Sequence, residues 1–165
     1  MFVLGIDPGL TLTGYGVVRG GNPPTAVAAG VIRTPTNSPI AERLALLHRG
    51  LSEVIAEHRP DEVGIESVFT NRNLNTAVSV GRASGVAILA AAQAGLPVAE
   101  YVPTAVKSAV TGDGSAGKQA VAAMVARLLR LAEPPRPADA ADALAVALCH
   151  LRSPRLQPTR SGSGR

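Results

Sequence analysis

Three strand-like apolar runs come first in this chain, and only then do helix and strand alternate. Phe2 to Asp7 has the pattern of a short buried strand and ends in the turn signal Asp-Pro-Gly. Leu12–Arg19 and Thr25–Arg33 follow as two more strands, joined by the turn-rich Gly20–Pro24. Ser38 is placed to cap a helix with Pro39 at its first position, and Ile40, Leu44, Leu47, Leu51 and Val54 keep to one face of it. Asp61–Glu66 reads as a fourth strand, Asn73 to about Ala94 as a long helix, and Pro97–Val102 as a fifth strand. Beyond Thr104 the pattern is helical, broken by a Gly-rich loop and by Glu133-Pro134-Pro135-Arg136-Pro137. Antiparallel hairpins followed by crossovers predict an α/β fold, a five-stranded mixed sheet with helices on both faces.

With 165 residues and 46% apolar content, the chain suffices for one domain with its own core. Residues 1–152 are expected to form that domain, and the basic Pro/Ser/Gly-rich tail 153–165 to be disordered. A single cysteine, Cys149, rules out an intramolecular disulfide and suits a reducing compartment. The N-terminus has no basic region ahead of its apolar run, and no stretch approaches a membrane span, so a cytoplasmic protein without a membrane partner is expected. A net charge of +4 and a pI near 10.0 favour a polyanionic partner, although part of the excess lies in the tail. Along the middle helix, Ala77, Gly81 and Gly85 form a small-residue stripe, read as intramolecular packing in preference to a dimer face.

Only twelve residues are acidic, so their placement carries information. Asp7 ends the first strand and Glu66 the fourth; were those strands neighbours, both carboxylates would emerge at one sheet edge. Asp139 and Asp142, three apart at the start of the last helix, share a helical face. Each has an ordinary alternative: a turn residue at Asp7, a strand end at Glu66, dipole complements at the pair. Converging together, four carboxylates would repel unless a cation sat among them, and an all-oxygen set suits Mg²⁺ or Mn²⁺ better than zinc. His48, His58 and His150 make no metal-spaced pair and read as structural or surface residues.

The motifs Gly5–Val18 (GIDPGLTLTGYGVV), Ile65–Phe69, Gly81–Ile88, Pro103–Val121 and Ala138–Ala147 fall in an order and spacing that resembles the RuvC family of Holliday junction resolvases, covering about residues 1–150. The resemblance implies a ribonuclease H-like fold and catalytic, metal-holding acids at Asp7, Glu66, Asp139 and Asp142. It implies basic residues near the scissile phosphate at Lys107 and Lys118, which are this chain's two lysines among sixteen basic residues. An aromatic acting on junction bases matches Phe69, and Arg72, Asn73, Asn75 and Arg82 are candidate DNA contacts. Further implications are two Mg²⁺ ions per site (Mn²⁺ also suitable), a homodimer, four-way junction DNA as substrate, and the branch-migration machinery of the same pathway as a partner. The family activity would be a crossover junction endodeoxyribonuclease, leaving 5′-phosphate and 3′-hydroxyl ends in recombination and DNA repair. One position departs from the pattern: Ser84 stands where Arg is expected.

Two other readings remain. The first strand pair also suits the phosphate hairpin of an actin-like or sugar-kinase-like ATPase, but 165 residues leave no room for a second lobe. A DNA-binding relative without catalysis, or a nuclease acting on RNA, would use the same scaffold. The stretch Gly112–Gln119 (GDGSAGKQ) comes close to a nucleotide-binding P-loop, yet Gln119 lacks the hydroxyl that would hold Mg²⁺, and a helix precedes it in place of a strand. It reads as a DNA-phosphate clamp, with no nucleotide cofactor.

Overall fold

A computed structural model describes residues 1–67 and 73–153. Its elements are β1 (Phe2–Asp7), β2 (Leu12–Arg19), β3 (Thr25–Arg33), α1 (Ile40–His58), β4 (Glu62–Glu66), α2 (Leu74–Gln93), β5 (Val98–Tyr101), α3 (Pro103–Thr111), α4 (Lys118–Leu128) and α5 (Ala138–Arg152). The strands form one mixed sheet in the order β3-β2-β1-β4-β5. β1 pairs antiparallel with β2 and parallel with β4, so the hairpin-then-crossover pattern becomes the ribonuclease H-like arrangement that was expected.

Alternation along β1 divides the core between the two sheet faces. Leu4 and Ile6 point to one side, where Leu47 and Leu51 of α1 and Ala83, Ala87, Ala90 and Ala91 of α2 cover them. Val3 points to the other side, among Val106 and Val110 of α3, Val121 and Val125 of α4, and Leu144 and Leu148 of α5.

On that second side the sheet presents glycines. A methyl group at Gly5 would stand 2.6 Å from the Ala147 nitrogen, and one at Gly14 would stand 2.6 Å from the Asp139 carbonyl carbon. At Gly16 it would lie 2.8 Å from the Leu144 side chain, and at Gly64 3.2 Å from the Cβ of His150. With no side chains between them, the backbone of the Ala-rich α5 lies almost directly on the strands. The far end of α5 is tied down by His150, which is 7% exposed. Its Nε2 lies 2.6 Å from Oε2 of Glu62, and its Nδ1 lies 2.9 Å from the Tyr101 hydroxyl. His150 is thus a structural histidine, as its spacing suggested.

Several local expectations need correction. Ser38 does not cap α1: Pro39 occupies the cap position, without a side-chain hydrogen bond. β4 begins one residue late because Asp61 is engaged by Phe2, whose N–H donates to the Asp61 carboxylate at 2.6 Å. The stripe on α2 does not pack inward. Gly81 and Gly85 have nothing within 4 Å of where a Cβ would stand, because the alanines at 83, 87, 90 and 91 set the rotation of the helix. By length and apolar composition alone, α2 is also long enough to cross a membrane, which the sequence reading did not anticipate; here its inward side is part of the core.

Candidate active site

Asp7 and Glu66 each follow directly on the register pair Ile6–Ile65, at the same edge of two parallel neighbouring strands. Gly14, which pairs with Asp7 across the hairpin, is also the residue on which the Asp139 backbone rests. The glycine contact therefore brings the first turn of α5 beside the end of β1. One helical turn, at three-residue spacing, then places Asp142 on the same side as Asp139.

All four carboxylates line one cleft of about 280 Å³ with Lys107, Lys118, Pro8, Gly9, Leu12 and Val80. Chain segments far apart in sequence thus bring the six candidate catalytic residues to a single opening. Burial pushes the Asp7 carboxyl up from 3.8 to about 8, and the charges of Glu66, Asp142 and Asp139 and a hydrogen bond with Glu66 add to this. At Lys118 the same field instead favours the charged form. Its Nζ donates to Oδ2 of Asp142 at 3.2 Å, and the Asp142 charge raises the ammonium pKa.

Among the described residues, no three His, Cys, Asp or Glu side chains are gathered closely enough to enclose an ion as they stand. The donor chemistry nonetheless fits a hard divalent cation: carboxylate oxygens line the cleft, without histidine or cysteine. Burial is the main cause of the raised Asp7 pKa, and the charges of Glu66, Asp142 and Asp139 add a negative field that such a cation would relieve.

A family model described as "Crossover junction endodeoxyribonuclease RuvC" matches residues 3–150. The chain belongs to the RuvC family. Among its relatives, the crossover junction endodeoxyribonuclease RuvC of Salinispora arenicola is 56% identical over 153 residues, covering 92% of this chain and 87% of that one. The Halorhodospira halophila protein of the same name is 51% identical over 165 residues, covering 99% and 98%. The solved structure of Thermus thermophilus RuvC in complex with Holliday junction substrate superposes with a TM-score of 0.85 at 43% identity, covering 91% of this chain and 92% of that one.

The remaining candidate RuvC-type contacts are placed unevenly. Phe69 and Arg72 lie outside the described residues. Asn73 is the N-cap of α2, its side chain accepting the Asn75 N–H at 3.0 Å, so its amide serves the helix. Asn75 and Arg82 are exposed on α2 but do not line the cleft, to which that helix contributes Val80. Ser84 is only 7% exposed, so an arginine there would have to leave the packed side of α2 to reach solvent.

The Gly-rich loop spends more of its polar groups internally than its composition suggested. Gly112 ends α3 with φ 82°, and the Thr111 hydroxyl accepts the Asp113 N–H at 3.1 Å. Asp113 in turn accepts the Ser115 N–H at 2.8 Å, and the Ser115 bonds lower its pKa. What remains directed at the cleft is Lys118, at the start of α4 after Gly117, which supplies no side-chain cap. The strand glycines were missed as site residues, although glycine inside a strand is a recognised sign of close backbone approach.

Proposed function

We infer that this chain is a crossover junction endodeoxyribonuclease that resolves four-way DNA junctions by paired nicks in recombination and repair. The observation that carries this reading is the single cleft lined by Asp7, Glu66, Asp139, Asp142, Lys107 and Lys118, in a chain of the RuvC family. Asp7, Glu66, Asp139 and Asp142 would hold two Mg²⁺ or Mn²⁺ ions. Bound there, the ions supply activation of water and neutralise charge on the departing 3′ oxygen.

The chain's own groups do the rest. Asp7 gives up the proton that its burial and its neighbours hold on the free carboxyl. Lys118, tethered to Asp142 in the free protein, turns its ammonium to the phosphate as the strand enters, and Lys107 neutralises a second oxygen. Water attacks phosphorus as the P–O3′ bond breaks, leaving a 5′-phosphate and a 3′-hydroxyl. Phe69 would act on a base exposed at the junction, Arg72 and Asn75 would help read the cleavage sequence beside it, and Arg82 would be a further DNA contact.

A junction has two strands to cut and so calls for a symmetric pair of sites. The surface best suited to a second copy is the outer side of α2, where Leu74 is 77%, Val78 45% and Leu89 50% exposed. With Gly81 and Gly85 they follow helical spacing, and the glycines admit close approach of another backbone. Partner proteins of the branch-migration pathway would meet the dimer on the DNA.

The functional reading is tested by offering the protein, with Mg²⁺ or Mn²⁺, a synthetic four-way junction, the matching linear duplex and an RNA–DNA hybrid. Cutting confined to the junction is expected. Equal rates on the linear duplex or on the hybrid would contradict it.

A further inference from the structure

The β1–β2 turn, residues 8–11, forms one wall of the cleft through Pro8 and Gly9, directly after Asp7. A turn of this kind usually leaves its carbonyls to water, but here they are held by side chains and by backbone from other elements. The Thr13 hydroxyl donates to the Gly9 carbonyl at 2.6 Å and accepts the Gly9 N–H at 3.3 Å. Thr34, just past β3 and 4% exposed, donates its hydroxyl to the Leu10 carbonyl at 2.5 Å. Its N–H donates to the Thr11 carbonyl at 3.1 Å.

Arg43 of α1 closes the set. Its Nε donates to the Thr34 hydroxyl and its Nη2 to the Thr11 hydroxyl, both at 3.0 Å. Arg43 is the fourth residue of α1, in the first turn, where the helix dipole disfavours a cation. Helix stability therefore does not account for it. The two oxygens it bridges are neutral hydroxyls on different segments, and a forked, planar guanidinium spans them where an ammonium would reach one.

We propose that Arg43 and Thr34 are positioning residues that hold the β1–β2 turn in the shape of the cleft wall before DNA arrives. A DNA strand then meets a finished wall beside Asp7, and no ordering of the turn is charged to the reaction. The proposal rests on the nuclease reading for its kinetic consequence, and on the hydrogen-bond geometry alone for the rigidity of the turn.

The test compares Thr34→Val, Thr34→Ser, Arg43→Lys, Arg43→Gln and Thr11→Val with wild type. The last substitution is at an exposed position and removes one arm of the clamp without touching the core. Amide hydrogen exchange at Gly9 and Thr34 is measured on the protein alone, and single-turnover cleavage and binding are measured on a synthetic four-way junction. Thr34→Val, Arg43→Lys and Thr11→Val are expected to speed exchange in the turn. They should slow cleavage roughly tenfold, since small misplacements at a site are costly, while junction affinity stays within about twofold. Thr34→Ser, which keeps the hydroxyl, should restore both. Unchanged exchange in Thr34→Val and Thr11→Val would overturn the clamp, and faster exchange with wild-type cleavage would overturn the positioning role. Loss of affinity with a weaker salt dependence in the charge-removing Arg43→Gln variant would also overturn it, making Arg43 a phosphate contact. Wild type that cuts no junction would sink the nuclease reading separately, with the exchange arm still deciding the clamp.

Discussion

Asp7 is the residue at which burial, charge and chemistry meet. Burial, with its acidic neighbours, raises its pKa from the ordinary 3.8 to about 8 in the folded protein. Between those values the native state binds the extra proton, so stability of the protein without divalent ions should fall as pH rises through this window. Asp7→Asn removes the buried ionisation. It should raise the melting temperature at pH 8 without divalent ions and flatten the pH dependence, as differential scanning calorimetry would show. Because a cation competes with that proton, the Mg²⁺ or Mn²⁺ concentration needed for half-maximal cleavage should drop as pH rises towards 8. Lys118 is the complementary case. Lys118→Ala frees Asp142 and removes a charge from the phosphate side, and should lower single-turnover cleavage on the order of 10²-fold. The scarcity of acidic residues drew attention to the four carboxylates, but their roles and those of Lys107 and Lys118 came from the family resemblance. Arg43 and Thr34 did not stand out, since a bond between residues 9 apart on different elements follows no local pattern.

At the scale of elements, the site depends on how closely α5 lies on the sheet. Gly5→Ala or Gly14→Ala would force the helix backbone away from β1 or β2, because the new methyl would meet backbone with little freedom to move. Each should cost about 1–3 kcal/mol of stability by the usual penalty for overpacking, and should reduce cleavage by more than the stability loss explains, since Asp139 and Asp142 move with the helix. Denaturant melts paired with single-turnover rates would separate the two effects. The α/β alternation was legible because strands and helices differ in apolar period, whereas the strand order that makes β1 and β4 neighbours came only with the packed sheet. The rotation of α2 was not legible either: its inner and outer sides are both apolar and small, so Ala83, Ala87 and Ala91 could not be told from Ala77, Gly81 and Gly85 until the helix was packed. The missing Ser38 cap and the late start of β4 are of the same kind, each decided by a distant partner or by one residue of chain direction.

For the whole molecule, the proposed pairing of two copies through the outer side of α2 would link a single cleft to a two-strand reaction. Val78→Glu and Leu89→Glu place charge on its exposed apolar stripe without entering the core. Each should convert a dimer into monomers by sedimentation velocity and leave nicked junctions in place of resolved ones. An unchanged dimer would move the interface elsewhere. The expected contacts at Phe69 and Arg72 lie outside the described residues, so their part in holding the junction rests on the family resemblance alone. The central claim is that the carboxylate cleft beside Asp7 cuts four-way junctions. It is tested most directly by incubating wild type and Asp7→Asn with a synthetic junction in Mg²⁺ or Mn²⁺ and mapping the ends on all four strands. Wild type should cut two strands of like polarity at symmetric positions, while Asp7→Asn binds the junction and leaves it whole. Normal cutting by Asp7→Asn would contradict the account.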